Sequence, residues 1–225
     1  MQRELIITAD GSHSVSIPQM NVTYHSVHGA VQESMHVFIE AGLRHWIGRS
    51  SHPVLCNILE MGFGTGLNAL LTFAETPVND LAIHYTALEL FPLIKEEFEK
   101  LNYYDVIGKP ELQPIFKKMH SDNWEQDNII SRQFTLFKTN QSLLDFKSNK
   151  KFDIVYFDAF APAVQPELWT KEVFELLYQT MNPGGIVVTY CSKGDVRRAM
   201  QAAGFTVEKI PGPPRKWEML RAMKA

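Results

Sequence analysis

Cysteine is nearly absent, with only Cys56 and Cys191 in a chain of 225 residues. Each sits inside an apolar run, so both read as small core hydrophobes in a reducing compartment, and a disulfide framework is excluded. Long hydrophobic runs are also missing, and no stretch reaches the length a membrane-spanning helix needs. The segment Met1–Asp10 lacks the charged-then-apolar pattern of a secretory signal, so a cytoplasmic location away from membranes is expected. Strong charge of one sign is absent too, the net value being −3, which carries no global signal for a polyanion or a lipid surface. Internal repeats and low-complexity tracts do not occur. Eight histidines are present, but His25, His28 and His36 have neither matching cysteines nor an H-x-x-x-H pair, so no metal site is expected.

What is present suits a packed core, since hydrophobic residues make up 45% of the chain and charged ones 21%. The small net charge hides an asymmetry. From Lys193 onward there are eight Lys/Arg against three acids, a net of +5; the preceding 192 residues hold 14 bases and 22 acids, a net of −8. Such polarity sets a basic patch on one end of an acidic body.

Residues 3–8 and 14–17 flank Asp10-Gly11 and predict a small β-hairpin, followed by a helix around Met35–Arg49. From Val54 the pattern alternates. Strands are expected at 54–60, 82–89, 132–138, 152–158 and 185–191, and helices at 66–76, 92–102, 111–120, 166–181 and 194–203. This alternation predicts βαβ units and a parallel sheet covered on both faces. Runs 204–210 and 217–223 have no helix between them and predict a final antiparallel hairpin around Pro211-Gly212-Pro213-Pro214. The expectation is an α/β, Rossmann-like, mainly parallel seven-stranded sheet, the layout of class I methyltransferases. Residues 51–225 would form this domain and residues 1–50 an N-terminal extension packed on it.

The strand Val54–Glu60 ends in an acid and runs directly into Met61-Gly62-Phe63-Gly64-Thr65-Gly66-Leu67-Asn68. Glycines at alternate positions let a backbone turn sharply and approach a ligand that a Cβ would exclude. Free amides at the start of the next helix attract an anionic group such as the carboxylate of S-adenosylmethionine. Glu60 at the strand end is then expected to accept from that cofactor's ammonium, with Gly62, Gly64, Gly66 and Asn68 around it. A dinucleotide fingerprint wants its third glycine one residue later, and Glu60 would oppose a pyrophosphate; a purely structural turn is the other alternative. Glu89, ending the second strand, can accept both ribose hydroxyls or cap the helix that follows Pro92. After the third strand, Thr139 and Asn140 can reach adenine, although Asn140 equally suits a turn.

The fourth strand terminates in Asp158-Ala159-Phe160-Ala161-Pro162. Methyl transfer is an in-line displacement that depends on positioning the acceptor lone pair. An amine acceptor is protonated near neutrality, with a lysine-like pKa of about 10, so an acid must take or relay its proton. Asp158 suits that role and also a contact with the cofactor, while Phe160 and Pro162 can bound a planar ring. The alternative is that Asp158 caps the helix near Pro166.

These residues resemble the MnmC-type methyltransferase domain. The similarity rests on Glu60–Asn68, on Asp158–Pro162 with Gln165-Pro166 and Trp169, and on Asn182-Pro183-Gly184-Gly185. Arg215-Lys216-Trp217-Glu218-Met219-Leu220 carries it as well, as do Val27-His28-Gly29, Gln32-Glu33 and His36-Val37-Phe38. It extends from about Tyr24 to Arg221. The resemblance implies N-methylation of the 5-aminomethyl group of 2-thiouridine at the tRNA wobble position, with S-adenosylmethionine as cofactor. It implies cofactor roles for Gly62, Gly64, Gly66, Glu89 and Asp158. Many members also carry a flavin oxidoreductase domain, for which this chain is too short. A stand-alone methyltransferase is therefore expected, fed by a separate flavin oxidoreductase or by the aminomethyl-uridine pathway. Lys138-Thr139 stands where relatives often have Gly-Asp, which leaves the adenine contact open. Within this reading Lys193, Arg197, Arg198, Arg215 and Lys216 are candidates for phosphates of the anticodon stem-loop, and Glu33 for closing the pocket. A methyltransferase for a small amine and a non-catalytic cofactor- or RNA-binding subunit remain as rivals; the first has no use for the basic segment, the second none for Asp158.

Overall fold

Apolar strands alternating with amphipathic helices bury both faces of the sheet they build. The computed structural model, which describes residues 2–49, 53–79 and 81–225, has that layout. Strands β1 (Glu4–Ile7), β2 (His13–Ile17) and β3 (Val22–Thr23) come first. A helical run, α1, follows as Ala30–Ser34, Met35–Arg44 and His45–Arg49, its middle part wound as a π-helix. Next come β4 (Leu55–Met61), α2 (Leu67–Asn79), β5 (Ala82–Leu88), α3 (Lys95–Phe98), α4 (Tyr103–Val106) and α5 (Gln113–Ser121). Then β6 (Asp127–Ser131), β7 (Phe134–Thr139), β8 (Phe152–Phe157), α6 (Lys171–Thr180) and β9 (Met181–Thr189) lead to α7 (Gly194–Ala202), β10 (Thr206–Pro211) and β11 (Glu218–Met223).

The main sheet has the order β10-β11-β9-β8-β4-β5-β7-β6. Its centre is parallel, β4 pairing with β5 and β8, β5 with β7, and β8 with β9. The expected final hairpin is there, with β11 antiparallel to both β10 and β9. The sheet has eight strands rather than the expected seven, because β6 folds antiparallel onto β7 at the edge. Its polarity pattern is exchanged at two positions, which hides it in the sequence. Asn128 points inward and donates to the carbonyls of Asn123, Gln126 and Leu136, while Ile129 faces out at 73% exposure.

The N-terminal hairpin is likewise enlarged to three strands by β3. The single helix expected over 92–102 is broken, and only Lys95–Phe98 is α-helical there. Asn102 is diverted instead to latch the β1–β2 turn, accepting from His13 N at 2.8 Å and donating to Gly11 O at 3.0 Å. The helix expected from 166 starts at Lys171, where the Thr170 hydroxyl accepts from Val173 N.

Each face of the sheet has its own core. Leu59, Val155, Phe157 and Val187 pack on one side with Val173 and Phe174 of α6; Ile58, Ile154, Tyr156 and Val188 pack on the other with Val37, Phe38 and Leu43 of α1. Contact there is close, since a Cβ on Gly42 would lie 3.2 Å from side-chain atoms of both Tyr156 and Val188. Val15, Ala30, Val31 and Ile39 share a third cluster with Leu67, Leu70 and Phe116, which ties the N-terminal strands to α2 and α5. Both cysteines are buried and unpaired. No helix among the described residues is long and apolar enough to cross a membrane. The register sets Met61 beside Leu88 and Phe157, so the carboxyl ends of β4, β5 and β8 open side by side. That edge is the switch point where parallel sheets of this type bind ligands.

Candidate active site

Met61 ends β4, and the chain turns through Gly62, Gly64 and Gly66 with φ of 91°, 51° and 72°. Glycine adopts such angles without the steric cost that a Cβ brings. Space is equally limiting at Gly64, where a Cβ would meet the Tyr24 ring at 3.0 Å. Glu89, just past β5, organises this loop. One carboxylate oxygen accepts from Gly64 N at 2.8 Å and the other from Phe91 N at 2.7 Å. Glu89 therefore caps no helix; both its oxygens hold backbone amides while the residue lines the cleft above the loop.

Beneath the loop, Asn68 at the start of α2 joins two acids. Its amide nitrogen donates to Glu60 Oε1 and to Asp158 Oδ2, both at 2.9 Å. Burial pushes the Glu60 carboxyl well above the ordinary carboxylate range, against the lowering effect of the Asn68 bond. Burial likewise raises Asp158 to about 7, assisted by the negative charge of Glu33 and opposed by Asn68 and Lys216. Glu60 is fully buried, with Oε1 on Asn68. Asn68 lines the cleft, and neither its Oδ1 nor Glu60 Oε2 has a hydrogen-bond partner among the described residues.

The segment after β8 is pinned from three sides. Phe160 N donates to Gln165 Oε1 at 3.0 Å, Trp169 Nε1 donates to Phe160 O at 2.9 Å, and the Tyr190 hydroxyl donates to Ala159 O at 2.9 Å. Asp158 caps no helix, because the 3-10 turn at Pro166 starts after Gln165 and α6 is capped by Thr170. Two clefts meet at this segment. The first, about 920 Å³ with its open mouth, is lined by the glycine loop, Asn68, Glu89, Phe91, Gln141 and Asp158. The second, about 780 Å³ measured the same way, is lined by Thr23, Ser26, Glu33, Val164, Tyr190 and Lys216. Tyr24, His25, Asp158, Ala159 and Phe160 border both. Tyr24 and Phe160 meet edge-on in this wall, with ring centroids 5.6 Å apart. His25 is buried, hydrogen-bonded to the Thr65 hydroxyl at 2.7 Å, and burial lowers its pKa to about 4, so the wall presents a neutral imidazole.

Other expected residues lie elsewhere. The Thr139 hydroxyl donates to Glu125 Oε1 at 2.7 Å and Asn140 N donates to the same oxygen at 2.9 Å. Neither lines the first cleft, and Gln141 holds that position. Lys138 is buried and caps the end of α5, donating to Met119 O at 2.6 Å and His120 O at 2.9 Å. Pro162, Lys193, Arg197, Arg198 and Arg215 are on neither cleft wall. Arg198 pairs with Asp195 on the exposed side of α7, and Arg215 reaches His28 at 3.2 Å. His25, His28 and His36 have separate partners: Thr65, Arg215 and the Pro211 carbonyl. No motif spacing marks Tyr24, Gln141 or Tyr190 in the sequence, and His25 enters there only among the histidines weighed for a metal.

Three positive-φ glycines, an unpartnered amide oxygen on Asn68 and the Glu89 carboxylate suit a ligand with both ammonium and hydroxyl groups. Residues 128–225 match the family model described as S-adenosyl-L-methionine-dependent methyltransferase. The chain is also similar to the tRNA 5-methylaminomethyl-2-thiouridine biosynthesis bifunctional protein MnmC of Idiomarina loihiensis, 33% identical over 217 residues. That alignment covers 88% of this chain and 34% of the relative. The protein of the same name from Leptospira interrogans is 32% identical over 212 residues, covering 90% of this chain and 32% of its own. The chain thus spans about a third of the length of the curated relatives it matches. In fold it is similar to the crystal structure of MNMC2 from Aquifex aeolicus, with a TM-score of 0.75 and 24% identity. That likeness covers 99% of this chain and 70% of that one. With its parallel sheet and its glycine cradle, the chain is similar over residues 128–225 to the S-adenosyl-L-methionine-dependent methyltransferases.

Proposed function

We propose that this chain N-methylates the 5-aminomethyl group of a (2-thio)uridine at the tRNA wobble position. The observation that carries the reading is the meeting of two clefts at Asp158. A methyl donor in one cleft and an acceptor nitrogen in the other would face each other across one carboxylate. S-adenosylmethionine supplies an electrophilic methyl group on a sulfonium. Gly62, Gly64, Gly66, Asn68 and Glu89 would hold it, Glu89 through lone pairs not used by Gly64 N and Phe91 N.

The protein's own chemistry is then positioning and proton removal. Asp158, held by Asn68, accepts a proton from the acceptor's ammonium and frees the nitrogen lone pair. Phe160, Tyr24 and Tyr190 provide aromatic faces for the ring that bears the amine, and Phe160 is fixed through Gln165 and Trp169. The names of the relatives support a modified tRNA uridine as the ring. We further propose that the enzyme works in the cytoplasm and that a separate activity, a flavin oxidoreductase or the aminomethyl-uridine pathway, delivers the primary amine. Lys193, Arg197, Arg198 and Arg215 would meet backbone phosphates from the basic end of the molecule.

The test is transfer of labelled methyl from S-adenosylmethionine to tRNA lacking wobble methylation, followed by nucleoside analysis. Label in 5-methylaminomethyl-2-thiouridine is expected. Label only in small amines, or none in tRNA, would refute the tRNA assignment.

A further inference from the structure

Across the second cleft from Asp158 stands another acid. Glu33, on the first turn of α1, accepts from Ser26 N at 3.0 Å through Oε2. Through Oε1 it accepts from Lys216 Nζ at 2.6 Å. The two partners are unequal. The Glu33 side chain is 12% exposed and tied to backbone, whereas Lys216 is 38% exposed at the end of a flexible stem, beside the exposed Arg215. The Lys216 ammonium also sits 4.5 Å from the centre of the Tyr190 ring, so acid and ring together make a seat for a cation. In a cleft holding Glu33 and Asp158, Lys216 is the one cationic side chain on the wall among the described residues.

We propose that Lys216 is a stand-in for the acceptor: an ammonium carried on a flat ring displaces it from Glu33, and the freed Lys216 turns to the phosphates of the acceptor's own polymer. The phosphate half of this inference rests on the tRNA reading above; the ammonium half stands on the cleft alone. The exchange balances, because one cation leaves Glu33 as another arrives. The newcomer's three N–H donors then have Glu33 and Asp158 as acceptors. One proton passes from nitrogen to the Asp158 carboxylate, giving a neutral amine and a carboxylic acid, and the lone pair is free. A neutral acceptor cannot displace Lys216, so Glu33 selects for charge before Asp158 removes it. Releasing Lys216 next to Arg215 sets two adjacent cations toward a polyanion, which couples backbone binding to occupancy of the cleft.

The test compares Glu33→Gln and Lys216→Met in full-length protein saturated with S-adenosylhomocysteine, with benzylamine and benzyl alcohol as probes in calorimetry. Wild type is expected to prefer benzylamine by about tenfold, and E33Q to lose that preference. K216M is expected to bind benzylamine about threefold more tightly, since the competitor is gone. A merely structural clasp would weaken amine binding alike in both variants, and that result, or an unchanged preference in E33Q, overturns the proposal. Should E33Q fail to fold in a melting assay, K216M decides alone: tighter amine binding supports the exchange, and equal or weaker binding refutes it. In parallel, KM for undermethylated tRNA is measured in wild type and E33Q. Amine preference without tRNA methylation would sink the tRNA reading and leave the ammonium exchange standing. Methylation with E33Q indistinguishable from wild type would do the reverse.

Discussion

The two clefts that meet at Asp158 are built in opposite ways. The glycine-loop cleft is centred on a main-chain turn, held by the ends of β4, β5 and β8. The second cleft is made of side chains from residues 21–33, 158–164, 190 and 216, joined by an ion pair and one ring contact. Backbone cradles are rigid and suit a ligand shared by many enzymes. Side-chain walls can exchange partners and suit the acceptor, which distinguishes one methyltransferase from another.

Substitutions can separate the two halves. The largest effect is expected from Asp158→Asn, which should lower kcat by roughly a thousandfold with a much smaller loss of cofactor affinity; unchanged single-turnover transfer would remove Asp158 from the chemistry. The shared wall should respond to acid. His25 has its folded-state pKa lowered from 6.5 to about 4, so the unfolded chain takes up the proton first as pH falls. Its contribution is therefore complete above about pH 6.5 and lost toward pH 4, on the order of 3 kcal/mol. Melting curves at both pH values should show His25→Gln losing less stability than wild type, and parallel losses would contradict this. Gly64→Val forces a positive-φ residue against Tyr24 and should cut cofactor affinity by roughly 30-fold, with a smaller effect on benzylamine binding.

A pH profile sharpens the junction itself. Asp158 near 7 must be ionised to accept a proton, so kcat should rise about tenfold per pH unit below its pKa and level off above it. A bound sulfonium stabilises the carboxylate, so the inflection in the cofactor complex lies below that of the free protein. A flat profile between pH 5 and 8 would count against this role. The smallest effect belongs to the basic end. Replacing Arg197, Arg198 and Arg215 together should weaken tRNA binding a few-fold at moderate salt and reduce the salt slope by about one per lost contact. An unchanged slope would mark them as solvated surface.

The cofactor half was legible because its signal is contiguous. An apolar strand, three alternating glycines and a helix lie within residues 55–79, and Glu89 and Asp158 end the neighbouring strands. The parallel sheet and its final hairpin were readable for the same reason. Tertiary context decided the rest. Glu60 reads as a ligand because it ends a strand, and the fold adds a bond from Asn68 to its Oε1. β6 was missed because Asn128 satisfies its amide inside the sheet edge. Helix propensity over 92–102 yielded to the bonds that Asn102 makes with Gly11 and His13. Lys138 reads as a strand-end polar residue but spends its ammonium on the carbonyls that close α5. Tyr24, Tyr190 and Lys216 come together only through the fold.

The bond between Lys216 and Glu33 closes a loop of 183 residues, whereas Asn68 and Glu60 are eight apart and Asn68 and Asp158 ninety. Closing longer loops costs more chain entropy, and non-local contacts form late. During synthesis, the residues of the donor cradle, up to Asp158, are therefore all made before Lys216 can close the acceptor wall. Strand β11 lies between β9 and β10 with Met219, Leu220 and Ala222 buried, so the sheet itself is completed by the segment that follows Lys216 directly. The acceptor wall and the sheet are thus closed in one event, by residues 216–223.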